Sequence, residues 1–131
     1  MRRGVLLIDR GSRENEAKEE LDFICNKVKE KGKYVFSDYC FLEVIPPFIE
    51  EGVKKSLKHD IDALTIVPYF LYPGKKVKAA VTDVMKFQAG TDVKFVVSKP
   101  MSIHKTMIEL VENRVSSALE KNGITLRHKD V

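Results

Sequence analysis

Cysteine is scarce in this chain, with two among 131 residues, Cys25 and Cys40. Neither belongs to a C-x-x-C pair, which excludes the redox and zinc signatures built on that spacing. Cys25 falls on the apolar face of an expected helix and Cys40 within an expected strand, so both read as buried, unreactive thiols. Long apolar runs are missing too, and nothing approaches the roughly 18–20 residues a transmembrane helix needs. Met1-Arg2-Arg3 imitates the charged start of a signal peptide. The apolar run behind it, Val5 to Ile8, stops at Asp9 and reads as a buried strand. A cytoplasmic protein without a membrane span is expected. There is no G-x-x-x-x-G-K-[ST] loop, no G-x-G-x-x-G fingerprint and no nucleophile elbow. The histidines, His59, His104 and His128, are not spaced to share a metal. Exposed aromatics and a concentrated basic helix, which nucleic-acid binders usually add, are also lacking. No linker, repeat or low-complexity segment interrupts the chain.

What is present describes an ordinary folded domain: 44% hydrophobic and 32% charged residues, with a net charge of +4. Lysines spread along the chain favour an anionic partner. Gly4–Asp9 is a continuous apolar strand of the kind buried on both faces. Gly11-Ser12 breaks it, and Ser12 is expected to cap a helix carrying Ala17, Leu21, Ile24, Cys25 and Val28 on one stripe and ending at Gly32. A strand over Tyr34–Glu43 follows. Pro46-Pro47 suits the first turn of a second helix, with Ile49, Val53 and Leu57 inward and His59 at its end. A third strand is expected over Ile61–Phe70, a helix over Val77–Phe87 and a fourth strand over Val93–Ser98. The last helix is expected over Ile103–Lys121, with Ile103, Met107, Leu110, Val111, Val115 and Ala118 on its buried side. Residues 1–123 read as one domain and 124–131, with His128, as a polar tail.

Strands alternating with helices predict right-handed β-α-β crossovers, hence a three-layer α/β/α fold around a four-stranded parallel sheet. Such sheets bind ligands beyond the carboxyl ends of their strands. Topology brings Arg10, Arg13, Glu43, Lys75, Lys76 and Lys99 to that edge, a cationic rim whose acids are Asp9 and Glu43. Asp9-Arg10-Gly11-Ser12-Arg13 is either an anion-attracting helix entry or a plain turn. Glu43, closing a strand, could take a proton or hold a metal, or be a solvated acid or a partner for a nearby lysine. His104, just beyond the fourth strand, is a further candidate.

In order, these segments resemble the small-form sirohydrochlorin chelatases, the CbiX-type cobalt-, nickel- or iron-inserting family. The likeness rests on Leu7-Ile8-Asp9-Arg10-Gly11-Ser12-Arg13, where the family has a His-Gly-Ser-Arg turn, and on Phe41-Leu42-Glu43 followed by Pro46-Pro47-Phe48-Ile49. Its most specific stretch is Pro68-Tyr69-Phe70-Leu71-Tyr72-Pro73-Gly74, and Lys99-Pro100-Met101-Ser102-Ile103-His104 extends it. The resemblance implies a chelatase-like frame with Arg10, Glu43 and Lys76 at the catalytic positions. Ser12, Arg13, Gly74, Lys75 and His104 would then touch the substrate. It also exposes departures. The family's two histidines fall on Arg10 and Lys76, and the acids after the second fall on Ala79 and Ala80. Arginine offers a metal no lone pair, and lysine could ligate only with a strongly lowered pKa. No metal-ligand set is therefore expected, nor a bound cofactor. Cobalt, nickel or iron would enter only as a substrate. The expected ligand is an anionic tetrapyrrole. Metal insertion in cobalamin or siroheme formation, altered or lost, stands beside a non-enzymatic carrier or sensor of such an anion. A homodimer is expected, since one such lobe leaves its pocket open on one side.

Overall fold

The computed structural model describes residues 1–72, 74–102 and 104–124. Pro73, Ile103, His128 and the rest of the tail beyond Ile124 lie outside the described residues. Two compact units are present, Met1–Pro100 and Met101–Val131.

The first unit is built on four strands, β1 (Arg3–Asp9), β2 (Phe36–Phe41), β3 (Ala63–Pro68) and β4 (Lys94–Val97), all parallel and ordered β2-β1-β3-β4. Helix α1 (Asn15–Gly32) links β1 to β2, α2 (Ile49–Ser56) links β2 to β3, and α3 (Lys75–Met85) runs into a 3-10 turn, Lys86–Gly90, before β4. Alternate residues of β1 feed opposite layers, as the pleat requires. Val5 and Leu7 join Leu21 and Cys25 of α1, with Tyr39 and Phe41 of β2. Leu6 and Ile8 join Val53 of α2, Val84 of α3, Cys40, Leu64, Ile66 and Phe95. Central β1 is therefore covered on both sides, and the expected three-layer arrangement is found. Gly52 lets α2 sit close on the sheet, because a Cβ there would lie 2.6 Å from that of Cys40. Ser56, the buried polar residue of this helix, donates its hydroxyl to the Gly52 carbonyl at 2.8 Å.

Several boundaries differ from the sequence reading. Ser12 does not cap α1: the N-cap is Glu14, and the Ser12 Oγ accepts from the Glu14 N–H at 3.1 Å in a short turn before the helix. β2 stops at Phe41, two residues before Glu43. Pro46 and Pro47, joined by a cis peptide bond, precede the N-cap Phe48 instead of forming the first turn. α3 begins at Lys75, two residues earlier than expected, which takes Lys75 and Lys76 out of the loop and into a first helical turn. His59 follows α2 and stacks on Phe36, ring centroids 4.3 Å apart.

The second unit holds α4 (Lys105–Lys121), whose N-cap His104 accepts the Thr106 N–H on Nδ1 at 3.0 Å. None of its residues is buried, so Met107, Leu110, Val111, Val115 and Ala118 do not form the expected buried side. Among the described residues of its unit, α4 has no facing element on which to bury a stripe. Among the described residues, no helix is long and apolar enough to cross a membrane.

Candidate functional site

The strand order makes a crevice at one place. β1 is followed in the chain by β2 on one side and in the sheet by β3 on the other, so the connections diverge at the carboxyl end of β1. Two backbone features shape that point. Gly11 has φ of 107°, and a Cβ there would stand 2.0 Å from the Glu43 carbonyl oxygen. Only glycine lets the chain leaving β1 pass so close to the chain leaving β2. On the other side, Val44 has φ of 79°, and the Ile45 N–H donates to the Glu43 carbonyl at 3.0 Å. This three-residue turn puts a β-branched residue in a strained conformation, the kind of outlier that persists where the surroundings enforce it. The ladder also continues past the strands, with the Leu42 N–H donating to Asp9 O at 2.8 Å and the Glu43 N–H to Arg10 O at 3.1 Å. Arg10 and Glu43 are thereby fixed side by side.

Their side chains meet a third. One carboxylate oxygen of Glu43 lies 3.8 Å from Arg10 Nε, and the other lies 3.7 Å from Lys76 Nζ. Arg10 and Lys76 side chains are 72% and 73% exposed, and that of Glu43 is 40% exposed. Exposed pairs at such distances hold each other by about 1 kcal/mol or less. The triad is loose and open to solvent.

Two cavities flank it. One of about 330 Å³ is lined by Arg10, Leu42, Phe70, Tyr72, Gly74, Lys75, Lys76 and Val77. Its charges are all positive, and Phe70 and Tyr72 add aromatic surface. The other, about 510 Å³, has Leu42, Ile49, Ala79, Ala80 and Phe87 among its lining, with Glu43, Glu50, Asp83 and Lys76. Leu42 and Lys76 belong to both. α3 points its uncapped N-terminus at this region, with Gly74 as N-cap, Lys75 and Lys76 in the first turn and no acid there. Cations at a helix N-terminus run against its dipole, so stability did not choose them.

The structure thus brings together Arg10, Glu43, Gly74, Lys75 and Lys76 of the residues picked from the sequence. Arg13 and Lys99 line neither cavity. Ser12 is spent on the turn before α1, and His104 caps α4 in the second unit. Asp9 is on the α1 side, where it and Glu20, after burial, help raise the pKa of Tyr69. Sequence reasoning missed Phe70, Tyr72, Leu42 and Val77 as lining residues. Phe70 and Tyr72 lay within the most specific stretch of the resemblance, and their place two and four residues past β3 was the available signal. The Val44 turn left no trace in the sequence. Among the described residues, no group of three or more His, Cys, Asp or Glu side chains could hold a metal ion. The thiols take no part: burial pushes Cys25 up to about 11 and Cys40 up to about 12.

The model of the CbiX family matches residues 4–118. A sirohydrochlorin cobaltochelatase from Sulfolobus acidocaldarius is 25% identical over 121 residues, covering 92% of this chain and 95% of its own length. A chloroplastic sirohydrochlorin ferrochelatase from Arabidopsis thaliana is 22% identical over 120 residues, covering 88% of this chain but 52% of its own length. The crystal structure of the sirohydrochlorin chelatase SirB from Bacillus subtilis subspecies spizizenii, in complex with cobalt, superposes with a TM-score of 0.75 at 20% identity. That match covers 89% of this chain and 51% of SirB, and it carries the fold. The chain therefore spans about half the length of some relatives and nearly all of another.

Proposed function

Because this chain belongs to the CbiX family, we propose that it binds a sirohydrochlorin-type tetrapyrrole at the carboxyl edge of β1 and β3, holding the metal-free ring by its carboxylates. The observation that carries this reading is the Arg10–Glu43–Lys76 triad beside a cavity whose charges, among the described residues, are Arg10, Lys75 and Lys76. Phe70 and Tyr72 on its wall suit a flat conjugated ring, and the cations suit the ring's acids. Inserting a divalent ion asks for different groups. It needs several lone-pair donors to carry the ion and bases that take up two pyrrole protons, and Glu43 alone of the triad offers a lone pair. Arg10 supplies neither, and Lys76, 73% exposed, is engaged by Glu43 at 3.7 Å. Two cations either side of Glu43 also repel an approaching metal ion. Metal insertion in cobalamin or siroheme formation is accordingly slow or lost in this chain, and carrying the ring is the reading the triad favours.

Two parts of the frame enter the same proposal. The family model runs across both units, which supports residues 1–123 acting as one chelatase-like domain. The chain's span of about half of the longer relatives supports a homodimer in which a second lobe closes the pocket.

The test is a titration of metal-free sirohydrochlorin into the pure protein, followed by absorption. The ring spectrum is expected to shift on mixing with protein alone, saturably, and less in high salt. A spectrum that changes only after cobalt or nickel is added would overturn the proposal.

A further inference from the structure

Glu43 competes for the cations that a ligand would use. Its two oxygens face Arg10 and Lys76 separately, at 3.8 Å and 3.7 Å, too far for either pair to be a hydrogen bond. No N–H of either cation is committed to it. Resting on the reading of this edge as an anion site, we infer that Glu43 is an internal counterion which an incoming ligand carboxylate displaces, so that it weakens binding and selects for ligands with several carboxylates.

The two cavities give the exchange its geometry. Glu43 does not line the all-cationic cavity; Arg10, Lys75 and Lys76 do. Glu43 lines the larger one, on the other side of Lys76, next to Ala79 and Ala80. Its backbone is pinned by the Gly11 contact, the Val44 turn and the bond from its N–H to Arg10 O. The carboxylate can therefore leave only by side-chain rotation, into a space that Ala79 and Ala80 leave open but that Glu50 and Asp83 also line, so the ligand's carboxylates must outweigh that repulsion as well. A ligand with one carboxylate gains one weak pair and costs another, a near-even trade. A ring with several engages Arg10, Lys75 and Lys76 together and outcompetes the single internal acid.

This reading gives Glu43→Gln a sign. A proton-transferring or ring-holding acid would bind worse, or no differently, when neutralised. A counterion binds better. The experiment is calorimetric titration of wild type, E43Q, R10Q and K76Q with two probes, benzenehexacarboxylate and metal-free sirohydrochlorin, at low and high salt, with benzoate as the one-carboxylate control. E43Q is expected to bind both polycarboxylates about two- to fivefold more tightly, the scale of an exposed ion pair. R10Q and K76Q are expected to bind them more weakly, and high salt to shrink all these differences. Circular dichroism confirms that each variant is folded. If wild type binds and R10Q and K76Q weaken it, yet E43Q binds equally or less well, the counterion role is wrong and the anion site stands. If wild type binds neither polycarboxylate, the proposed function fails and this inference with it.

Discussion

At Gly11 the chain has no room for a side chain. Its φ of 107° and the 2.0 Å approach of a virtual Cβ to the Glu43 carbonyl act together. Gly11→Ala should destabilise the fold by about 2 kcal/mol or more and loosen ring binding, because relief of the clash must part Arg10 from Glu43. Urea melts and ring titrations of the folded fraction check both. Val44 predicts the opposite sign. It is 48% exposed and strained at φ of 79°, so Val44→Gly should raise stability by about 1 kcal/mol. A loss of stability would show that the Val44 side chain holds more than its backbone costs. The two thiols carry a pH signature. Burial raises Cys25 to about 11 and Cys40 to about 12, both from 9.0. A raised acid favours the neutral thiol in the folded state, so this contribution is complete below pH 9 and fades as pH climbs through 11 to 12. Cys40→Ala should lower stability at pH 7 by leaving a small cavity, yet flatten the decline from pH 9 to 11. Denaturation midpoints at both pH values read it; equal slopes in wild type and variant would contradict the assignment.

The helix that carries Lys75 and Lys76 sets binding against stability. Its first turn holds two lysines and no acid, the reverse of what a helix N-terminus prefers. Lys75→Glu, which leaves the Lys76–Glu43 pair in place, should therefore stabilise α3 by about 0.3–1 kcal/mol while weakening polycarboxylate binding. Melting and titration of the one variant must move in opposite directions; a destabilised variant would mean Lys75 serves the fold. Part of this element was legible beforehand. The continuous apolar run of β1 and the alternation of strands with amphipathic helices predict the parallel sheet, and parallel topology gathers Arg10, Glu43, Lys75 and Lys76 at one edge. Element ends were less legible, because capping here does not follow side-chain preference. Ser12 accepts the Glu14 N–H instead of opening α1, and α3 starts at Lys75 behind Gly74, which has no side chain to cap it. The apolar spacing of α4 told which residues share a face, but a periodic stripe does not say whether its own unit supplies something to cover it. The Val44 turn was invisible because the chain leaving β1, at Arg10 and Gly11, packs against it from a distant part of the sequence. Cavity walls such as Tyr72 become evident only when β3 ends beside β1.

For the whole molecule, the chain keeps the frame of the CbiX family and sets Arg10, Glu43 and Lys76 together at its crevice. Light scattering at micromolar concentration should give a dimer, and a monomer at that concentration would contradict the pairing of two half-size lobes. The central claim is that Arg10 and Lys76 have turned this crevice from metal handling to ring holding. It is tested most directly by metal insertion in wild type and in the Arg10→His, Lys76→His variant. Two imidazoles beside Glu43 would recreate a donor set able to hold a transition metal. Stopped assays of cobalt and nickel insertion into sirohydrochlorin should then show a rate at least about tenfold above wild type, a change of roughly 1.4 kcal/mol in barrier. The same variant should bind the metal-free ring more weakly. Wild type inserting either metal as fast as the double variant would contradict the claim.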